Sequence, residues 1–131
     1  PGAARLMRIR AARIRRLVAT GVIPVVTGFQ VHDAGAIRTL GRGGSDLSAV
    51  ALAVALRGDC TFYKASGLRL ADPARDPDAP AAGRIDHAEL AAILAGSAQV
   101  LHAGAARLAA RHGVRLRFVP FPGDGEESWV A

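Results

Sequence analysis

Residues 40–58 read LGRGGSDLSAVALAVALRG, Leu40 to Gly58. Arg42 stands among glycines, Ser45 and Asp46 follow, and the run from Leu47 to Leu56 carries no charge. Glycine reaches φ > 0 without penalty and lets the backbone approach a ligand closely. Serine is a favoured N-cap, and the N–H groups that open a helix carry partial positive charge. The stretch therefore predicts an anion-binding turn capped by Ser45. It leads into a helix over Leu47 to Leu56 that is apolar around its circumference and so must be covered on several sides.

Outward from this turn the chain alternates helix and strand. An arginine-rich amphipathic helix comes first, with Gly21 as its expected C-cap. VIPVVTGF follows as a buried strand, Val22 to Thr27, ending in a Gly-Phe turn. Residues 30–44 are glycine-rich and polar, as a loop or irregular hairpin requires. Beyond Gly58, CTFYK (Cys60 to Lys64) reads as a second strand, and ASGLRLADPARDPDAPAAG as a long, proline-rich loop. Asp86 is placed to cap a helix through about Leu94, a further helix spans about Ala103 to Arg111 and ends near Gly113, and VRLRFVPF supplies a third strand. This order predicts one α/β domain over 1–131, a mostly parallel sheet flanked by helices, with ligands outside the carboxyl ends of the strands.

At 131 residues and 50% hydrophobic the chain can bury a core of its own. It has no apolar run long enough to span a membrane and no signal-type apolar segment, so the expected setting is cytoplasmic, without a membrane partner. Cys60 is the one cysteine and falls in a predicted buried strand, where packing is the expected role. The spacing of His32, His87, His102 and His112 matches no zinc site and suits surface or capping positions. The net charge of +6 comes from residues 1–20, which hold Arg5, Arg8, Arg10, Arg13, Arg15 and Arg16 and no acid. A helical projection puts Leu6, Met7, Ile9, Ile14, Leu17 and Val18 on one side and Arg5, Arg8, Arg15 and Arg16 on the other. With sixteen arginines to one lysine and no interleaved aromatics, this reads as a solvated face and argues against a nucleic-acid partner.

In this order and spacing, VIPVVTGF, TLGRGGSDLSA, GLRLADP, AQVLHAG and VRLRFVPF resemble the aspartate kinases of the amino-acid kinase superfamily, over roughly residues 5–119. The resemblance implies the carboxyl-terminal, nucleotide-side half of that catalytic domain. The amino-terminal half, with its Lys-Phe-Gly-Gly segment, and the regulatory module have no counterpart in these residues. The chain is accordingly expected to be a fragment, a processed product or one piece of a split enzyme.

The activity implied is transfer of a phosphoryl group from ATP, with Mg, to the side-chain carboxylate of aspartate. Matched positions assign substrate binding to Phe29, Arg42, Gly43, Gly44 and Ser45 and a catalytic role to Asp46, which would orient cations around the transferring phosphoryl. A guanidinium offers a carboxylate a planar, bidentate partner, and the paired glycines let backbone donors crowd the same oxygens. The nucleotide side falls to Lys64, Ala65, Gly67, Arg69, Asp72, Arg75 and Gln99. Several of these depart from the family pattern. Lys64-Ala65 replaces a Thr-Asp pair and is similar to the Lys-Ala-Thr of bacterial uridylate kinases, Arg69 replaces a tyrosine, Arg75 sits one place late, and Gln99 replaces a lysine. The expected partners are aspartate and either a homo-oligomer or a complementary kinase half. The alternative is a catalytically inactive kinase-like module that binds an amino acid or a partner subunit as regulator or scaffold.

Overall fold

A computed structural model describes residues 9–72, 74–96, 100–123 and 125–131. The chain opens with α1 (Ala12–Ala19), which ends at Thr20 and not at the expected Gly21; Gly21 follows at φ +80°. No residue of α1 is buried, and Val18, assigned to its apolar side, is 53% exposed. The Arg15 guanidinium donates to the carbonyl of Ala55, so an arginine assigned to solvent ties α1 to the end of the next helix. Arg5, Leu6, Met7 and Arg8 lie outside the described residues.

The buried strand expected over Val22 to Thr27 does not form: residues 22–28 are irregular, with Ile23 89% and Val25 99% exposed. β-Branched residues suit a pleated, half-buried surface, but a strand exists only where a neighbour takes up its N–H and C=O groups. Among the described residues nothing pairs with this segment. The glycine-rich stretch beyond it is a regular antiparallel hairpin of β1 (Gln30–Asp33) and β2 (Ala36–Thr39). Its turn residues Ala34 and Gly35 both have positive φ, +46° and +85°, as two-residue hairpin turns of matching twist require.

The apolar stretch is α2 (Gly44–Leu56), and its left-handed C-cap is Arg57. After it come β3 (Cys60–Lys64), β4 (Arg84–Ile85), α3 (His87–Ala95), α4 (Ala103–His112), β5 (Leu116–Pro120) and β6 (Ser128–Val130). Asp86 caps α3 as expected: its side chain accepts from the N–H groups of Ala88 and Glu89, and Glu89 closes a capping box on the Asp86 N–H. The sheet order is β3-β5-β6-β4; β3 with β5 and β4 with β6 are parallel, β5 with β6 antiparallel.

Strand alternation places the core. Cys60, Phe62, Leu116, Phe118 and Val130 point to the side where Val50 and Ala53 of α2, Leu90 of α3 and Ala105, Ala106 and Ala109 of α4 pack. Phe62 and Phe118 stack with centroids 5.4 Å apart. Buried Ser128 satisfies its hydroxyl by donating to the Leu68 carbonyl at 3.1 Å, which ties β6 to the long loop after β3. The other face of the sheet carries exposed Thr61 and Tyr63, and Arg117 over the Trp129 ring at 5.1 Å.

Candidate functional site

Gly43, with φ +72°, is the N-cap of α2 and supplies no side-chain cap. The positive φ starts the helix at Gly44, so Ser45, expected as the cap, is already inside the first turn and exposed. The glycines are required by packing. A Cβ on Gly43 would stand 2.5 Å from the Cβ of His102, and one on Gly44 2.6 Å from the Cβ of Leu40 and 3.0 Å from the Phe29 ring. Phe29 itself has φ +70°. Its N–H donates to Ser48 Oγ at 3.0 Å, Ser48 Oγ donates to the Gly44 carbonyl at 2.7 Å, and the Phe29 carbonyl accepts from the Leu40 N–H at 2.9 Å. The Gly-Phe turn is thereby fastened to the first turn of α2. Ser48 makes that joint, and the reading of the sequence missed it: a serine one helical turn beyond Gly44 was the available signal.

Asp46 stands in the first turn of α2, where the helix dipole favours a negative charge. Its Oδ1 accepts from Lys64 Nζ at 3.0 Å, and its Oδ2 accepts from the backbone N–H of His102 at 3.1 Å. Both side chains of the ion pair are shielded, Asp46 16% and Lys64 30% exposed. Lys64 closes β3 at the carboxyl end of the parallel β3–β5 pair, and its ammonium also lies 5.5 Å from the Phe62 ring centroid. His102 caps α4 through Nδ1, which accepts from the Gly104 N–H at 3.1 Å. One carboxylate thus joins two helix starts and a strand end.

The remaining candidates divide. Arg42 is exposed on the turn before Gly43 and makes no salt bridge among the described residues. Ala65 is exposed in the turn after β3, whereas Gly67 is buried at φ +65°, where a Cβ would press on Pro120 at 3.1 Å. Arg69 is spent on the loop, with Nε donating to the Ser66 carbonyl at 3.0 Å and Nη1 to the Ala79 carbonyl at 2.9 Å. Asp72 holds a turn, accepting from the Ala74 N–H at 3.0 Å, and Arg75 is exposed beside it. Gln99 and Pro73 lie outside the described residues. Cys60 is buried on β3; burial first, and then the negative charge of Asp46, pushes its thiol up to about 11. Among the described residues no three His, Cys, Asp or Glu side chains converge on a point.

The chain matches the model of the amino acid kinase family over residues 1–120. It is 42% identical over 118 residues to the aspartokinase of Geobacillus stearothermophilus, covering 88% of this chain and 29% of that protein. The aspartokinase of Thermus thermophilus is 39% identical over 118 residues with the same coverage, 88% and 29%. Among solved structures, Escherichia coli aspartokinase III in complex with aspartate and ADP superposes with a TM-score of 0.77 at 28% identity, covering 92% of this chain and 28% of that one. Aspartate kinase from Synechocystis gives a TM-score of 0.75 at 35% identity, covering 91% and 21%. The chain spans less than a third of the length of these relatives.

Proposed function

The chain belongs to the amino acid kinase family, and from that premise we propose that it serves an aspartate kinase-type phosphotransfer together with a complementary part of the kinase fold. In this reading an oxygen of the aspartate side-chain carboxylate attacks the γ-phosphorus of ATP, the bond to the bridging oxygen breaks, and an acyl phosphate and ADP result. Phosphoryl transfer asks mainly for positioning and charge stabilisation. The observation that supports the reading is the joint at Asp46, where the glycine turn, the end of β3 and the start of α4 meet. Arg42, exposed on that turn, is assigned to the amino-acid carboxylate, and Gly43, Gly44, Ser45 and Phe29 are assigned to the same substrate.

Lys64, Ala65 and Gly67 are assigned to the nucleotide side. Arg69 and Asp72 are assigned to it through the loop they hold. Both oxygens of Asp46 are occupied by protein donors and no cluster of acids surrounds it, so the described residues do not form a resident magnesium site. A magnesium ion would be held by the phosphates it enters with. The exposed apolar segment Val22, Ile23, Val25 and Val26 supports the need for a complement, because β-branched surface of that kind is ordinarily covered by a neighbouring strand.

Hydroxamate trapping of acyl phosphate, run beside sedimentation of the purified chain, tests the proposal. The chain by itself is expected to give no acyl phosphate and to self-associate, and activity is expected on adding a partner that bears a Lys-Phe-Gly-Gly segment. A monomer turning over ATP and aspartate at a typical enzymatic rate, on the order of 1 to 1000 per second, would refute the need for a complement. Silence in every combination, with aspartate still bound, would favour the inactive binding module.

A further inference from the structure

We propose that Ser48 is a positioning residue for the amino-acid site: its hydroxyl holds Phe29 in the left-handed backbone conformation that sets the Phe29 ring against the first turn of α2. The proposal rests on the kinase reading above and deepens it. Ser48 is the one polar side chain in the run from Leu47 to Leu56. A serine inside a helix that donates back to the carbonyl four residues earlier slightly weakens the helix, so its place there has another reason.

The direction of each hydrogen bond is fixed. The Phe29 N–H can only donate, so Ser48 Oγ accepts from it at 3.0 Å, and the hydroxyl proton goes to the Gly44 carbonyl at 2.7 Å. The Phe29 carbonyl is held from the other side by the Leu40 N–H at 2.9 Å. Both backbone polar groups of Phe29 are therefore engaged while its φ stands at +70°, a region that bulky L-residues rarely adopt. Strain of this kind persists only where the surroundings over-determine it. Without the Ser48 acceptor one anchor is left, and Phe29 relaxes to negative φ, carrying its ring away from Gly44, to which it now lies so close that a Cβ there would stand 3.0 Å from it. The same turn lays Gly28 against Ser45, where a Cβ on the glycine would be 3.5 Å from the Ser45 Cα. Phe29, Gly44 and Ser45 are all assigned to the amino acid, and one hydroxyl, committed to the protein at both ends, sets how they stand to one another.

Calorimetric titration of the 131-residue chain with aspartate tests this, at a temperature below the unfolding transition of every variant. Ser48→Ala is expected to weaken aspartate binding about tenfold, the worth of one hydrogen bond and of the order it maintains. Ser48→Thr keeps the hydroxyl and is expected to stay within about threefold of the parent. Amide hydrogen exchange supplies a readout specific to the joint: protection at the Phe29 N–H is expected to be lost in Ser48→Ala and kept in Ser48→Thr, while the α2 amides of Val50 to Val54 stay protected in both. Ser48→Ala with parental aspartate affinity would overturn the proposal, whatever its unfolding midpoint. Weakened binding that Ser48→Thr does not restore would also overturn it, because the hydroxyl is then not the operative group. So would a parent chain whose Phe29 N–H exchanges as fast as that of Gly35 in the exposed hairpin turn. A parent chain that binds no aspartate would overturn the kinase reading beneath it.

Discussion

Gly43 and His102 pack so closely that a β-carbon on the glycine would stand 2.5 Å from the β-carbon of the histidine. The residue that caps α2 is thereby seated on the residue that caps α4, and Asp46 spans the same junction through the His102 N–H. Gly43→Ala is expected to lower stability by about 2 kcal/mol or more, from the left-handed backbone at φ +72° and the contact together. Gly35→Ala is the control, because Gly35 has φ +85° with open space around it and reports backbone strain alone. Denaturant midpoints for the two variants check this; equal losses would mean that His102 yields without cost.

Arg42→Ala is expected to weaken aspartate binding by about 1.5 to 3 kcal/mol, the range for hydrogen bonds to charged groups. Arg42→Lys should recover little, since an ammonium lacks the planar fork of a guanidinium. Arg42 is exposed, so neither variant should shift the unfolding midpoint appreciably. Calorimetry with aspartate decides, and equal affinity in parent and alanine variant would remove Arg42 from the site.

Cys60 should resist thiol reagents at neutral pH in the folded chain and react on unfolding, because burial and the nearby Asp46 carboxylate raise its thiol to about 11. The linkage has a definite sign. The ordinary thiol value is 9.0, so in the unfolded chain Cys60 ionises from that pH while the folded chain still holds the proton. The stability associated with this group is complete below about 9 and is lost as pH rises towards 11. Denaturation measured between those pH values should show the fall in the parent and a shallower one in Cys60→Ala.

Phe118→Ala should cost about 3 to 5 kcal/mol, the range for removing a buried aromatic ring. Phe118 is fully buried and stacked on Phe62, at the centre of the β3–β5 pair. Phe121, 65% exposed just beyond β5, should tolerate alanine with little change. Urea unfolding of the two variants separates them, and similar midpoints would contradict the core placement.

The features legible in the chain alone are local. The uncharged run Leu47 to Leu56 was legible as a helix, Asp86 and Glu89 close a box across three residues, Gly113 ends α4 at φ +61°, and CTFYK and VRLRFVPF hold the strands Cys60–Lys64 and Leu116–Pro120, in which buried positions alternate. The glycine turn was legible for the same reason, since positive φ at Gly43 is a property of one residue. Tertiary structure decided the rest. VIPVVTGF has the composition of a strand, yet a strand needs a partner's hydrogen bonds, and no described residue supplies them. β6 could not be read from three residues in a polar tail; it exists because β5 and β4 offer it ladders on both sides. The site's central contact is of the same kind. Asp46 meets Lys64 across 18 positions and His102 across 56, separations that no pattern in the chain encodes. They arise because a buried core sets α2 beside α4 and over β3, and a shielded carboxylate must then find donors among whatever the packing brings near.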